Sequence, residues 1–424
     1  MKSLNNSVQF ILNKANFIYI SIIIFLFVFN PYLFNSNGAV IFAFILSLIY
    51  VRNETVNIFF YFIKRKENLA LLALFTIPYI YALYGTVIDD DYDFSKLQKI
   101  IKFSFIFICA MWYSSIIIYQ AKHSVQRYLN SIVILQLIIV ILCLISPDFT
   151  ELIRGMNDPS ALEKLSDYGA YRGVSWAANA FFGLAVILSF IILNWMVDSY
   201  EKGQRSVFIY LFLFLTLIVF TVTARTTFLA IIFFLTYLFF RMSVNSKFVL
   251  LKITSFVILF FVSLSFILYY CFPDLVELIL SIMNRSLEFV FNYIKYGSFS
   301  SGSTDILQSM YFPVDKFTLM FGDYRYMDGS SYYMDTDAGY MRNVLYWGIV
   351  GMFLNFMFAF LINYRIYGGL NYRFAFFSMF LFVLHIKGEV VSHENMLYSA
   401  LFLMYCSSVY NQDLIKHEKS KTNG

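Results

Sequence analysis

Residues 206–240 hold a single charged side chain, Arg225, in 35 positions. At 1.5 Å of rise per residue one continuous helix over that run would be about 52 Å long. The hydrocarbon core of a bilayer is about 30 Å thick. The run is too apolar for water and too long to cross once. It therefore predicts a helical hairpin turning at Thr223-Ala224-Arg225-Thr226. Composition generalises the point: only 13% of the 424 residues are charged, against about 25% for an average soluble protein. Another 21% are aromatic and 60% hydrophobic in all, more apolar surface than a soluble fold could hide. Disorder is excluded for the same reason.

The expected fold is all-α: a single polytopic membrane domain over 1–424 with about twelve transmembrane helices. They are read at 17–34, 38–51, 68–88, 98–120, 131–147, 174–197, 206–223, 226–240, 252–272, 340–362, 374–388 and 395–410. The short run 38–51 is kept as a span, because otherwise Lys64-Arg65-Lys66 would fall outside. This topology puts both termini in the cytoplasm, with 18 of the 31 Lys+Arg and only six of the 26 Asp+Glu on the inner side. Inner loops are short and read as connectors. The outer side carries the bulk: a medium loop at 148–173 and a large one at 273–339. The large loop is expected to hold an amphipathic helix over 275–294, a break at 297–303 and an irregular polar stretch at 321–339. Lys2 and Lys14 precede an apolar run with no small-residue cleavage site, which reads as a first span rather than a signal peptide.

Several function classes drop out. The net charge of +5 is small and dispersed, so nucleic acid is not an expected partner. Cys109, Cys143, Cys271 and Cys406 sit in or beside apolar segments without CxxC spacing, and read as core residues. No internal repeat is visible, and Arg225 is placed near an outer end, which weighs against a transporter such as a lipid-linked glycan flippase. Two acidic clusters, Asp89–Asp93 and Asp335-Thr336-Asp337, are of the oxygen-only kind that suits Mg²⁺ or Ca²⁺. The first equally reads as a solvated turn. Arginine can neutralise a pyrophosphate unaided, so neither a metal nor any other cofactor is required.

Charge on the outer side gathers at loop–helix junctions. Arg172 directly precedes a span, Arg225 stands alone at its turn, and Arg285 lies on the amphipathic segment. Asp337 and Tyr340 close the large loop, followed by Arg342, and the last outer loop holds Lys387, Glu389 and His393. Guanidinium groups grip phosphate oxygens with two hydrogen bonds. A carboxylate beside them can accept a proton from an attacking hydroxyl. Together they suit a transferase that displaces a lipid pyrophosphate. Each residue also has a plainer use: Arg172, Arg225 and Tyr340 as interface anchors, Arg285 as a headgroup contact, Asp337 as a helix cap, Lys387 as a partner of Glu389, and His393 as a solvated surface group.

Several stretches are similar to one known family. Arg172-Gly173-Val174-Ser175-Trp176-Ala177-Ala178-Asn179 opens a span with an Arg-Gly…Asn pattern, and Arg172 with Gly183 fits Arg-x10-Gly. Thr223-Ala224-Arg225 resembles a Ser-Arg hairpin turn. Asp337-Ala338-Gly339-Tyr340…Gly348-Ile349-Val350-Gly351 and Lys387-Gly388-Glu389 complete the set. In these the chain resembles the O-antigen polymerases of the Wzy type, which are related to the O-antigen ligases. Arg285 misses a second Arg-x10-Gly, since Gly297 follows it one residue late. Asp337-Ala338 stands where ligases carry His-Asn, which favours polymerase over ligase. The resemblance implies an inverting glycosyltransferase of the inner membrane, active at the periplasmic face in lipopolysaccharide O-antigen synthesis. It would pass a growing glycan from undecaprenyl pyrophosphate to a lipid-linked repeat unit, in the setting of a chain-length regulator protein. Arg172 and Arg225, with Arg285 as a third, would hold the pyrophosphate. Tyr340, Lys387 and His393 would line the substrate site, and Asp337 would act as base.

Overall fold

The computed structural model describes residues 2–33, 38–88, 95–120, 124–157, 174–178, 181–204, 207–221, 224–242, 288–297, 302–329, 331–391 and 395–422. Sixteen helices and one small hairpin are found among them. In chain order they are α1 Lys2–Phe29, α2 Ala39–Ser47 with a 3-10 turn Leu48–Tyr50, α3 Asn53–Lys64, α4 Lys66–Ile88, α5 Ser95–Gln120 and α6 Val125–Ile145. Then come α7 Pro147–Gly155, α8 Phe182–Glu201, α9 Val207–Phe220, a 3-10 turn Arg225–Thr227 and α10 Phe228–Arg241. The later part holds α11 Glu288–Tyr296, α12 Gly302–Ser309, α13 Lys316–Phe321 and the hairpin β1 Met327–Asp328 with β2 Ser331–Tyr332. A 3-10 turn Tyr333–Asp335 leads into α14 Gly339–Ile366, α15 Tyr372–His385 and α16 Asn395–Thr422.

The protein is thus all-α, and among the described residues five helices are long and apolar enough to cross a membrane: α4, α5, α6, α8 and α14. The apolar run 206–240 is a hairpin of two 14-residue helices. The exposed side chains of the bundle are themselves apolar, among them Ile80, Ile101, Ile138, Ile232, Phe239 and Phe240, as expected of faces turned to lipid. Helix α8 is the pillar of the bundle, with 83% of its apolar window buried. It packs against α6, α9, α10 and α16. Several polar groups inside pair across helices: Tyr405 donates to Asn68 at 2.7 Å, Trp112 to Ser47 at 2.7 Å and Tyr367 to Asn194 at 2.9 Å. A buried hydrogen-bonding group left alone in this setting would be costly.

The helices define two ends. At one, Arg373 reaches Asp198 at 3.0 Å and Glu201 at 2.8 Å, and Arg365 reaches Glu67 at 2.9 Å. Arg65 bridges Glu67 and Asp413 there as well. Helix α8 runs from the other end to this one, and α15 returns from Arg373 to His385. Residues 39–50 lie antiparallel to α1, since Val40 donates to Asn30 and Tyr50 to Asn16.

Three local expectations change. Residues 53–64, read as part of a connector, form the amphipathic helix α3, with the Thr55 hydroxyl in its first turn accepting from the Arg52 N–H at 3.0 Å. The span expected from 174 begins as a helix only at Phe182, because 174–178 is irregular, with Ala178 N–H bonded to the Phe29 carbonyl. The run from 339 is broken at Gly348, whose φ of 64° and ψ of −177° suit glycine alone. The expected span 252–272 and the first part of the amphipathic segment, 275–287, lie outside the described residues.

Candidate functional site

The end opposite the Arg373 cluster is built from the last turns of α4, the start of α8, the 3-10 turn Arg225–Thr227, the segment 302–338, the start of α14 and the turn 386–391. Two glycines set the distances. A side chain on Gly339 would collide with the carbonyls of His385 and Gly388, and one on Gly388 would meet the Phe182 ring at 2.6 Å. The Asp337-Ala338-Gly339 junction therefore lies directly against the Lys387-Gly388-Glu389 turn. His385 fixes that turn, since its Nδ1 accepts from the N–H groups of Val390 at 3.0 Å and Val391 at 3.1 Å. Its Nε2 lies 2.7 Å from the amide nitrogen of Asn343, which also donates to the Gly339 carbonyl at 2.7 Å. Tyr340 stacks edge-on to His385 at 4.8 Å, and its hydroxyl donates to the Phe382 carbonyl at 3.1 Å. It thus ties α14 to α15.

At the centre is Arg342. Its side chain is 7% exposed and that of Glu389 is 9% exposed, with Nη1 and Oε2 3.4 Å apart. The guanidinium lies 4.1 Å from the centre of the Tyr326 ring and 3.5 Å from that of Tyr332. The Tyr326 hydroxyl donates to the same Glu389 oxygen at 2.5 Å. Burial, and then the charge of Glu389, push the Tyr326 hydroxyl well above its ordinary pKa, so it remains a donor. Nε and Nη2 of Arg342 have no hydrogen-bond partner among the described residues.

The loop that brings both tyrosines over Arg342 is anchored on each side. Tyr324 packs on Gly85 and meets the Tyr81 hydroxyl at 3.1 Å. Asp323 N–H donates to the Leu345 carbonyl at 2.6 Å. Helix α13 starts at Asp315, whose carboxylate accepts from Phe317 N–H at 2.7 Å and Thr318 N–H at 3.0 Å and is held below its usual pKa by its bonds to Thr318. The same helix lies across Gly348, where a side chain would strike the Met320 carbonyl. The break in α14 thus lets α13 settle on it. It also leaves Arg342 on a separate nine-residue stretch, 339–347.

The sequence-predicted residues fall as follows. Asp337 is exposed, two residues before α14, and within electrostatic reach of Arg342. Arg225 opens its 3-10 turn, and its neighbour Thr226 accepts from Lys387 Nζ at 3.4 Å. Lys387 also sits 5.9 Å from the Phe182 ring. The Arg225 turn and the Lys387 turn are therefore neighbours, although 161 positions separate Thr226 from Lys387. Arg172, Arg285, His393 and the Asp89–Asp93 cluster lie outside the described residues. No group of three His, Cys, Asp or Glu side chains able to hold a metal occurs among the described residues.

Sequence reasoning mentioned Arg342 without weighing it, and passed over Tyr326, Tyr332 and His385. A signal for Arg342 was present: it is the only charged residue in 339–364, the same isolation that marked Arg225. The tyrosines carried none, because 33 tyrosines are spread through the chain. No protein-family model, curated protein or solved structure matches this chain.

Proposed function

We propose that this protein is a membrane glycosyltransferase that uses a lipid-pyrophosphate-linked glycan, an O-antigen polymerase of the inner membrane with its active end in the periplasm. About twelve spans with both termini in the cytoplasm belong to the same reading. The observation that supports it best is the meeting of the Arg225 turn with the Lys387 turn, beside the Asp337 junction and the Arg342–Glu389 pair. Basic groups and carboxylates from distant parts of the chain share one end of an apolar bundle, where a lipid carrier would present its headgroup.

In this reading Arg172 and Arg225, with Arg285, hold the donor pyrophosphate, and Lys387, Tyr340 and His393 line the site. Asp337 accepts the proton of an acceptor sugar hydroxyl as its oxygen bonds to the donor anomeric carbon. The bond from that carbon to the pyrophosphate oxygen breaks, and configuration inverts. The leaving pyrophosphate departs with its charge matched by the arginines, the largest expected contribution to rate. A chain-length regulator would act on this enzyme from outside the bundle.

The test is deletion of the gene from its own host, followed by lipopolysaccharide electrophoresis. The reading predicts lipid A core carrying a single repeat unit, with the ladder gone. Loss of all O-antigen would point to a flippase or ligase, and an unchanged ladder would reject the proposal. Arg172→Ala and Arg225→Ala should each abolish the ladder at normal protein level, and Asp337→Asn should do the same if the base is assigned correctly. Activity in EDTA decides whether a divalent metal takes part.

A further inference from the structure

We infer that the Nε–Nη2 edge of Arg342 is a binding site for the carboxylate of an acidic sugar. This deepens the proposed function and rests on it, naming uronate-type glycans as the substrate class. A guanidinium offers acceptors more than one edge. Here Nη1 faces Glu389, and both remaining donor positions, Nε and Nη2, are unmet in a side chain only 7% exposed. Buried donors normally have partners, and two adjacent ones form the fork that matches a two-oxygen acceptor. The rings of Tyr326 and Tyr332 flank the guanidinium, so the ligand approaches along its edge.

Charge selects the ligand. Glu389 already neutralises Arg342, and Asp337 adds negative potential nearby. A pyrophosphate, with two or more negative charges, would meet like charge on two sides. A carboxylate brings one charge on a planar pair of oxygens, which the planar fork accepts. Tyr332 is 40% exposed and lies on the surface hairpin, so it can also offer a ring face to the sugar that carries the carboxylate. Proximity to Asp337 assigns this sugar to the acceptor.

The experiment uses the full chain in lipid nanodiscs and measures binding of a galacturonate trimer and of its methyl ester by saturation-transfer NMR titration. The ester keeps the sugar rings and loses the charged two-oxygen group. The wild-type protein should bind the acid at least about ten-fold more tightly than the ester, as expected for a charge-assisted bidentate contact. This comparison needs no variant. Arg342→Lys, which keeps the charge opposite Glu389, should bring the two ligands to within about two-fold of each other. Tyr332→Ala should weaken both alike and preserve their ratio. Equal binding of acid and ester by the wild type overturns the proposal. So does an acid preference that survives Arg342→Lys, or inorganic pyrophosphate competing for the site more strongly than the trimer. An acid preference in a protein whose deletion leaves the ladder intact would sink the polymerase reading and leave the carboxylate site standing. A lost ladder with no acid preference would do the reverse.

Discussion

Replacing Glu389 with alanine should destabilise the bundle more than any other removal of a single carboxylate among the described residues. The substitution strips Arg342 Nη1 of its counter-charge and the Tyr326 hydroxyl of its acceptor. Both partners are more than nine-tenths buried, so water does not screen the loss. Breaking a buried pair from one side costs about 3–5 kcal/mol, because the remaining charge stays buried. With an unfolding entropy of about 2.1 cal/mol/K per residue, the 424-residue chain has about 0.9 kcal/mol/K, so each kcal/mol moves Tm by about 1 °C. Glu389→Ala should therefore lower Tm by about 3–5 °C. A thiol-reactive fluorophore can read this in detergent, since Cys109, Cys143 and Cys406 are free and buried until the bundle opens. Adding Arg342→Leu to Glu389→Ala should recover more than half of the loss, because removing both charges removes the uncompensated one. A single variant as stable as wild type, or a double variant no better than the single, would refute the pairing as described.

Gly348→Ala places a side chain at φ 64° against the Met320 carbonyl and should cost at least about 1–3 kcal/mol in backbone strain. Gly155→Ala, with open space around it, should be neutral in the same thermal assay. Tyr405→Phe removes the donor to the buried Asn68 carbonyl oxygen and should lower stability by about 1–2 kcal/mol, with no effect on sugar binding. The Asp315 carboxylate has a lowered pKa when folded, so its stabilising effect is full above the ordinary aspartate value and fades as pH falls through the folded one. Amide exchange of 316–321 should rise over that acidic window in wild type and be fast at all pH in Asp315→Ala.

Much of the helical layout was legible because burial in lipid enforces it. A run such as 206–240 cannot do otherwise than fold back, and its length sets the turn at Arg225. Amphipathic α3 escaped notice because Asn53, Glu54, Lys64, Arg65 and Lys66 made its segment look like a connector. The break at Gly348 could not be read, since Ile349-Val350 continue the apolar pattern across it. At the site, isolation of charge in apolar sequence was the useful signal, and it applied to Arg225 and Arg342 alike. Pairing was beyond reach: Glu389 lies in the 386–391 turn, and its ion pair with Arg342 joins that turn to α14, distant in sequence. Only tertiary packing, set by Gly339 lying under Gly388, makes that choice.

The shortness of α9, α10 and α15 has a consequence for the bilayer itself. Each has 14 residues, about 21 Å of helix, beside a hydrocarbon core of about 30 Å. Lipid meeting these helices encounters hydrophobic mismatch, which is relieved by thinning of the adjoining leaflets. The thinned rims border the turns that carry Arg225 and Lys387 at one end and Arg241 and Arg373 at the other. Under the proposed function, a carrier headgroup diffusing in the leaflet beside the Arg225 and Lys387 turns would sink toward them as it arrives, shortening the vertical distance it must travel.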